Sequence, residues 1–450
     1  MGILLKKKSK FRGLNLLENK ITAKKPIEAL PVPEKVILPL VQNIGAPCSF
    51  LVEKGDTVRT GQKIADSKAY VSSPIHSSIS GKVKKFSKIM NPATSQLMDA
   101  VTIESDGQDQ WVGSEQVFNI KLSQDYRRLK SIIDSFKKEE ILARIREAGI
   151  VGLGGAAFPT HVKLNPPPEK KIDTLILNGC ECEPFITSDH RVMLEYGRQV
   201  LVGLYIICRT LDPGNIFIAI EDNKRDAIEH IKDLIFEMSF DDMFKIVSLP
   251  SSYPMGAEKT LIKTVVDRAV PIGGLPMDVG VVVNNVTTAK AIHDAVIEGK
   301  PLISKVITVT GEFETPKNIL ARIGTPVREL VDLCIIDESK TNKVIIGGPM
   351  MGNILVELDF PIVKGANCVL AKDNRIPDER NCINCGSCVR ICPMDLVPLV
   401  YVRNVKSGRS DGLSGYYIEN CIECGSCAYV CPANIPIVGY IKTGKAMIAK

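Results

Sequence analysis

The sequence predicts a multidomain α/β and α+β protein, and three observations carry the prediction. Between Gly149 and Lys300 apolar strand runs alternate with helical segments, the pattern of a largely parallel sheet covered by helices. Between Pro31 and Glu104 short β-like runs are separated by turn residues, which suits a small sandwich or barrel. Near the C-terminus the pattern C-x2-C-x2-C-x3-C-P occurs twice, from Cys382 to Pro393 and from Cys421 to Pro432. At 450 residues the chain is too long for one core, so several domains of ~100–200 residues are expected.

Residues 1–30 are rich in lysine (Lys6, Lys7, Lys8, Lys10, Lys20, Lys24, Lys25) and lack a sustained period. They read as a solvated tail lying over the next domain, or as a patch for an anionic membrane or acidic partner. In residues 31–105 the succession Val52 to Val58, Gly61-Gln62, Ser73 to His76 and Ser80 to Val83 resembles the barrel-sandwich hybrid of lipoyl and biotinyl carriers. Such carriers present a modified lysine, commonly next to methionine. The comparable residues here are Asp66-Ser67-Lys68-Ala69-Tyr70, so a structural or docking module is expected instead of a modified Lys68. Residues 106–140 read as a polar linker leading into a helix, with Ile141, Leu142, Ile145 and Ala148 at helical spacing and Gly149 as its left-handed stop.

Residues 141–304 carry the α/β pattern, with strand runs at 173–177, 216–220, 246–249 and 279–283 and helical segments at 191–209, 225–238, 257–266 and 289–297. Ligands of such sheets bind beyond the carboxyl ends of the strands. There the sequence places Asn178 to Pro184, then Glu221-Asp222-Asn223, then Ser251-Ser252-Tyr253, and finally Asn284-Asn285. Upstream, the loop at 152–163 holds Gly152, Gly154 and Gly155, whose backbone N–H groups can approach a phosphate or a flat ring, and Lys163, which can neutralise charge. It fits neither the Walker pattern nor G-x-G-x-x-G in the required place, so on spacing alone it is either a nucleotide or flavin site or only a tight turn.

Residues 305–372 read as a compact α+β, ubiquitin-like unit, with strands at 306–310 and 344–346, a short helix at 326–332 and the turn Gly347-Gly348-Pro349-Met350-Met351-Gly352. Residues 373–436 hold both cysteine runs. Their spacing is that by which bacterial ferredoxins bind two 4Fe–4S clusters, the fourth cysteine of each run serving the other cluster. Cys382, Cys385 and Cys388 are therefore expected with Cys431, and Cys421, Cys424 and Cys427 with Cys392. Zinc sites space their C-x2-C pairs differently, and disulfides need an oxidising compartment. The basic tail at 437–450 is assigned no chemistry.

Only 5% of residues are aromatic and Trp111 is the one tryptophan, which argues against a base-stacking nucleic-acid surface. The formal charge of +6 would be offset, in a protein loaded with both clusters and a flavin, by about two negative charges on each oxidised cluster with its thiolates and about two on the flavin phosphate, so the charge is weak evidence for a nucleic-acid partner. No window approaches the ~20 apolar residues of a membrane span, so a soluble or peripheral protein without a transmembrane segment is expected.

Taken together, residues 152–163, 178–184, 253–260, 283–286 and 347–352 and both cysteine runs resemble the RnfC family, the peripheral component of the ion-translocating NAD:ferredoxin oxidoreductase (Rnf) complex. The resemblance covers nearly the whole chain. It implies a barrel-sandwich hybrid, a complex I flavoprotein-like α/β domain, a β-grasp (SLBB-like) module and a two-cluster bacterial ferredoxin-like domain. It further implies noncovalent FMN and NAD(H) beside the two 4Fe–4S clusters. Gly152, Gly154, Gly155, Lys163, Asn178, Tyr253, Asn284 and Asn285 match positions expected around FMN, and Phe158, Glu181, Glu183 and Glu258 match positions near the nicotinamide nucleotide. Leu153 and Ala157 depart from the arginine and glycine often found in the loop, and Cys180 stands where an acidic residue is usual.

By the same resemblance the chain sits on the cytoplasmic face of the membrane and exchanges electrons between NAD(H) and ferredoxin. Integral-membrane and other subunits couple this to ion translocation, and no nucleic acid takes part. A flavin exchanges electrons in pairs and singly whereas a cluster takes one, so no side chain need act as a catalytic acid or base. The alternatives are a soluble flavin and iron–sulfur reductase similar to cobalamin reductase, an electron wire without a nucleotide site, and a modified carrier protein.

Overall fold

The computed structural model describes residues 3–8, 12–113, 126–337, 341, 343–373 and 378–448. Its centre is a five-stranded, all-parallel sheet in the order Leu4–Lys6, Phe244–Leu249, Asn215–Glu221, Thr174–Gly179, Val281–Asn285. Leu175, Ile176, Leu177, Ile218, Ala219 and Val281 are buried, as a sheet covered on both faces requires. Helix Gly197–Leu211 crosses helix Val286–Ile297 at Gly203, where an added Cβ would lie 1.8 Å from the Ala289 carbonyl oxygen. Only glycine permits that approach.

The N-terminal segment differs from the solvated tail expected of it. Leu4–Lys6 is the edge strand of the central sheet, in register with Ile246 to Ser248, and Leu14 bridges Tyr253. Ile27–Ala29 then adds an edge strand to a second sheet, beside Asn318 to Leu320. Each strand spans three residues, too short for periodicity to register, and each is held by backbone pairing that any side chain allows. Lys10 lies outside the described residues.

Residues 31–105 form two antiparallel sheets. One runs Lys35–Pro39, Leu97–Ser105, Gly81–Met90, Thr57–Val58, and the other Ser49–Phe50, Lys63–Asp66, Ile75–His76. Val36, Leu38, Ile64, Ile75, Ile79, Val101 and Ile103 fill the space between them. Lys68 is exposed in the connection between the Lys63–Asp66 and Ile75–His76 strands. In the linker, residues 114–125 lie outside the described residues, but Tyr126–Ser135 is a helix ahead of Lys138–Glu147. Leu129 and Ile133, four apart, are buried, and the Tyr205 hydroxyl donates to Asp134 at 2.8 Å.

The third unit is a mixed six-stranded sheet, Asn353–Ile354, Lys343–Ile346, Cys368–Lys372, Ser304–Gly311, Lys317–Arg322, Ile27–Ala29, packed against helix Val327–Cys334. The cysteine runs follow in a helical setting, with Pro398–Lys406 between them. The C-terminal tail is part of that domain: Ile437–Ile448 is a helix whose Ile437, Ile441 and Gly444, at i, i+4 and i+7, are buried. At Gly444 a Cβ would stand 2.8 Å from Ile418, so the helix sits close against the second run.

Candidate flavin and iron–sulfur sites

The Gly-rich loop is a hairpin-like turn closed by Gly152 N to the Phe158 carbonyl (2.9 Å) and Ala157 N to the Gly152 carbonyl (3.0 Å). Gly155 has φ +121, a backbone conformation closed to side chains with a Cβ. Gly154, Gly155 and Ala156 are exposed, while Phe158 is half-buried at the loop's return. The loop is held from behind: Leu153 N donates to Thr288 Oγ1 at 2.8 Å, and the buried Lys305 ammonium donates to the Leu153 carbonyl at 2.7 Å.

Strand ends meet this loop from the other side. A Cβ at Gly154 would approach the Asn285 side chain to 3.3 Å. Asn285 Oδ1 accepts from Thr287 N and Thr288 N, capping helix Val286–Ile297, while its Nδ2 donates to Asp189 at 2.6 Å. Asn178 bridges two strand ends, donating to the Gly256 carbonyl (2.9 Å) and accepting from Cys180 N (2.9 Å). Lys163, just beyond the loop, pairs with Glu258 at 2.6 Å. Asn284 Nδ2 is buried without a protein partner, a cost of about 1–3 kcal/mol that a hydrogen-bonding ligand would remove.

The carboxylates expected near the nicotinamide nucleotide have different surroundings. Glu181 is buried and accepts from Ser188 Oγ (3.2 Å), Asp189 N (2.8 Å) and His190 N (3.3 Å), so it caps helix Ser188–Glu195. Glu183 accepts from Met350 N (3.2 Å) and Met351 N (2.8 Å) of the third unit, and burial pushes its carboxyl up to about 7. Glu258, partly exposed beside Lys163, is the carboxylate of the three that stays on the loop's side. At the second strand end, Glu221 is neutralised by Lys224 at 2.5 Å, both buried.

Three side chains at the site were not legible in the sequence. The Lys20 ammonium donates to the carbonyls of Glu181 (2.8 Å), Glu183 (3.0 Å) and Ile186 (2.6 Å), fixing the loop after the first strand, and burial lowers its pKa. Asp189 joins Asn285 to Thr287 and is pushed upward by burial, while burial pushes Lys305 downward. Nothing local to Lys20 or Lys305 marks them. Asp189 carried a faint signal, as an acidic residue in the first turn of a helix.

The cysteines gather around two cavities. Cys382, Cys385 and Cys388 share one with Cys431, and Cys421, Cys424 and Cys427 share the other with Cys392. Their walls are otherwise mostly apolar, including Leu399, Val402 and Ile435 in the first and Leu396, Tyr401 and Ile441 in the second. Four cysteine sulfurs about one such cavity suit a 4Fe–4S centre, and the three-plus-one division suits the ferredoxin arrangement. The exposed glycine loop, the backbone turn at Gly155 and the orphan Asn284 amide likewise suit a flat, hydrogen-bonding cofactor. The buried Tyr253 connects the two regions, its hydroxyl donating to the Cys424 carbonyl at 2.6 Å.

Comparison with known proteins follows these units. Residues 9–108 match the RnfC barrel sandwich hybrid domain, residues 145–294 the Nuo51 FMN-binding domain, and residues 381–435 a 4Fe-4S dicluster domain. The chain is 48% identical to the C component of the proton-translocating ferredoxin:NAD(+) oxidoreductase complex of Clostridium ljungdahlii, over 84% of this chain and 80% of that one. It is 42% identical to the C component of the Na(+)-translocating complex of Acetobacterium woodii, over 84% and 83%. It is 38% identical to the C component of the ion-translocating oxidoreductase complex of Rhodobacter capsulatus, over 87% and 74%. A solved NAD+-reducing NiFe-hydrogenase in the H2-reduced state shares the fold over 72% of this chain and 65% of that chain, with TM-score 0.52 and 17% identity. Among the described residues no helix is long and apolar enough to cross a membrane.

Proposed function

The chain belongs to the RnfC family, the C components of ion-translocating ferredoxin:NAD(+) oxidoreductase (Rnf) complexes, and from that premise we propose that it passes electrons between NAD(H) and its partner subunits through FMN and two 4Fe–4S clusters. The complex as a whole exchanges electrons between NAD(H) and ferredoxin, and the other subunits, membrane ones included, couple that exchange to ion movement. The barrel-sandwich module, which matches the RnfC barrel sandwich hybrid domain over residues 9–108, favours this over a soluble cobalamin-reductase-like enzyme.

FMN supplies the conversion between paired and single electrons when bound. The protein's own residues bind, orient and insulate. Gly154 and Gly155 bring backbone N–H groups to the cofactor, Gly152 closes the turn that presents them, Asn284 offers its unpaired amide, and Asn178, Tyr253 and Asn285 fix the strand ends around it. Lys163, paired with Glu258 at 2.6 Å, would balance phosphate charge when the cofactor is bound, and Glu258 and Phe158 would serve the nicotinamide nucleotide. Glu181 and Glu183 act on nucleotide binding indirectly, by holding the loop after the first strand. Cys382, Cys385, Cys388 and Cys431 ligate one cluster and Cys421, Cys424, Cys427 and Cys392 the other.

The observation that carries the reading is the Tyr253 hydroxyl on the Cys424 carbonyl, which joins the flavin-side strand ends to the loop of the second cysteine run. Anaerobically reconstituted protein is expected to be bleached by NADH, and Lys163→Ala or Asn178→Ala to lose flavin. Full flavin occupancy with unchanged bleaching in both variants would refute the assignment.

A further inference from the structure

The two cysteine runs are copies of one pattern, and the chain treats them differently. In the second copy Cys424 and Cys427 are buried. Three contacts from other units cover it: Tyr253 Oη to the Cys424 carbonyl (2.6 Å), Gly273 N to Asn420 Oδ1 (3.0 Å), and the Met350 carbonyl, which would stand 2.9 Å from a Cβ at Gly425. In the first copy residues 378–385 are exposed throughout, Cys382 and Cys385 included. Ile383 is 68% exposed where its counterpart Ile422 is half-buried.

A lone exposed isoleucine is ordinary. Here it stands between two thiols of a redox centre, on a face whose duplicate the chain takes care to cover. Among the described residues, the side chains that hold the first loop belong to the same domain: Arg390 donates to the Cys385 carbonyl (2.9 Å) and Ser387 Oγ (3.1 Å), and Arg403 to Asn384 Oδ1 (2.5 Å). Charge differs between the copies as well. Where the second has Glu423, paired with Lys445, the first has Asn384 beside Arg403, and where the second has Tyr429 the first has Arg390. Of the nearby acids, Glu379 is engaged by Lys406 and Tyr440, leaving Asp378 against two exposed arginines.

We propose that the first-copy loop, with Ile383 at its centre and Arg390 and Arg403 at its rim, is the docking surface for another subunit of the complex. The partner offers an apolar socket edged by carboxylates and covers this copy as Tyr253, Gly273 and Met350 cover the other. The assignment rests on the proposed electron path: contact at Cys424 places the second copy on the flavin side, so the first copy is the outer end. One electron per encounter crosses this face, the partner's one-electron centre gaining what the chain gives up, or the reverse, with no bond made or broken.

The test uses the whole membrane complex with Ile383→Glu and Arg403→Gln introduced singly, the latter removing the rim charge while keeping a donor for Asn384. NADH-driven ferredoxin turnover is followed together with flavin bleaching and the electron paramagnetic resonance of both clusters. Turnover is expected to fall about tenfold or more in each variant while NADH reduces flavin and clusters as before, and the variant protein is expected to leave membranes at lower salt. Unchanged turnover and unchanged release in both variants overturn the docking surface alone. A dimer of the isolated protein that Ile383→Glu disperses also overturns it, assigning the face to a second copy. Failure of NADH to reduce flavin or clusters in the unmodified complex overturns the electron path itself, and is separable because it requires no variant.

Discussion

Replacing Lys20 by methionine asks whether the N-terminal segment builds the flavin site or merely covers it. The ammonium makes three hydrogen bonds of 2.6 to 3.0 Å to the carbonyls of Glu181, Glu183 and Ile186. Methionine keeps most of the stem and removes all three donors. A buried carbonyl left unpaired costs about 1–3 kcal/mol, and the partial exposure of Cys182, Glu183 and Phe185 lets water recover part of it, so the low end applies to each. Relief of the ammonium's own burial, visible in its lowered pKa, offsets some of the sum. The balance is about 2–3 kcal/mol. If that loop must be ordered for the cofactor to bind, FMN affinity falls by roughly 30- to 150-fold, at 1.4 kcal/mol per tenfold. Fluorescence titration of the flavin-free protein with FMN measures it, with the urea midpoint read alongside. A change under about twofold in affinity with an unmoved midpoint would return Lys20 to the role of a solvated tail residue.

Other perturbations have equally definite signs. The Glu183 carboxyl, at about 7 in the folded protein against 4.5 in the unfolded chain, binds more protons folded than unfolded between those values. Its contribution is therefore full below pH 4.5 and is lost as pH rises through 7; about 3 kcal/mol of pH dependence is expected to vanish in Glu183→Gln, read from urea midpoints against pH. Asn284→Leu removes a buried unpaired amide, so the flavin-free protein should melt no lower than the parent while FMN affinity falls about tenfold; a lowered melting point with full affinity would show the amide to be satisfied by protein or water. Cys431→Ser is expected to damage the cluster of Cys382, Cys385 and Cys388 and to leave that of Cys421, Cys424 and Cys427 in place, as judged by iron content and electron paramagnetic resonance.

Much of the molecule is legible in the sequence because its signals are local. The parallel sheet announces itself through continuous apolar runs such as Leu175-Ile176-Leu177, whose burial on both faces leaves no room for alternation. The cysteine spacing carries its own chemistry, because three thiolates with two residues between each and the next suit one corner of a cluster. Asn178, Asn285 and Lys163 fall at strand ends and beside the Gly-rich loop, where the topology of a parallel sheet places ligand contacts. Helix Tyr126–Ser135 is hidden in a polar stretch because Leu129 and Ile133 alone mark its buried face. The helical tail Ile437–Ile448 is hidden for a related reason, since Gly444 serves its packing by having no side chain.

By itself, then, the sequence determined the order of the units, the parallel sheet, the loop suited to a cofactor and the eight cysteines, all set by spacing and by the sequence of strand ends. The tertiary structure alone decided how those parts are wired. Leu4–Lys6 became an edge strand through backbone pairing that leaves no side-chain pattern. Lys20 reaches carbonyls 161 to 166 residues away, and Glu183 accepts from the backbone N–H groups of Met350 and Met351 in the third unit. The second cysteine run is covered by Tyr253, while in its duplicate Cys382 and Cys385 are exposed. Each of these depends on contacts between residues distant in the chain, which compactness brings together and which no local window of sequence records.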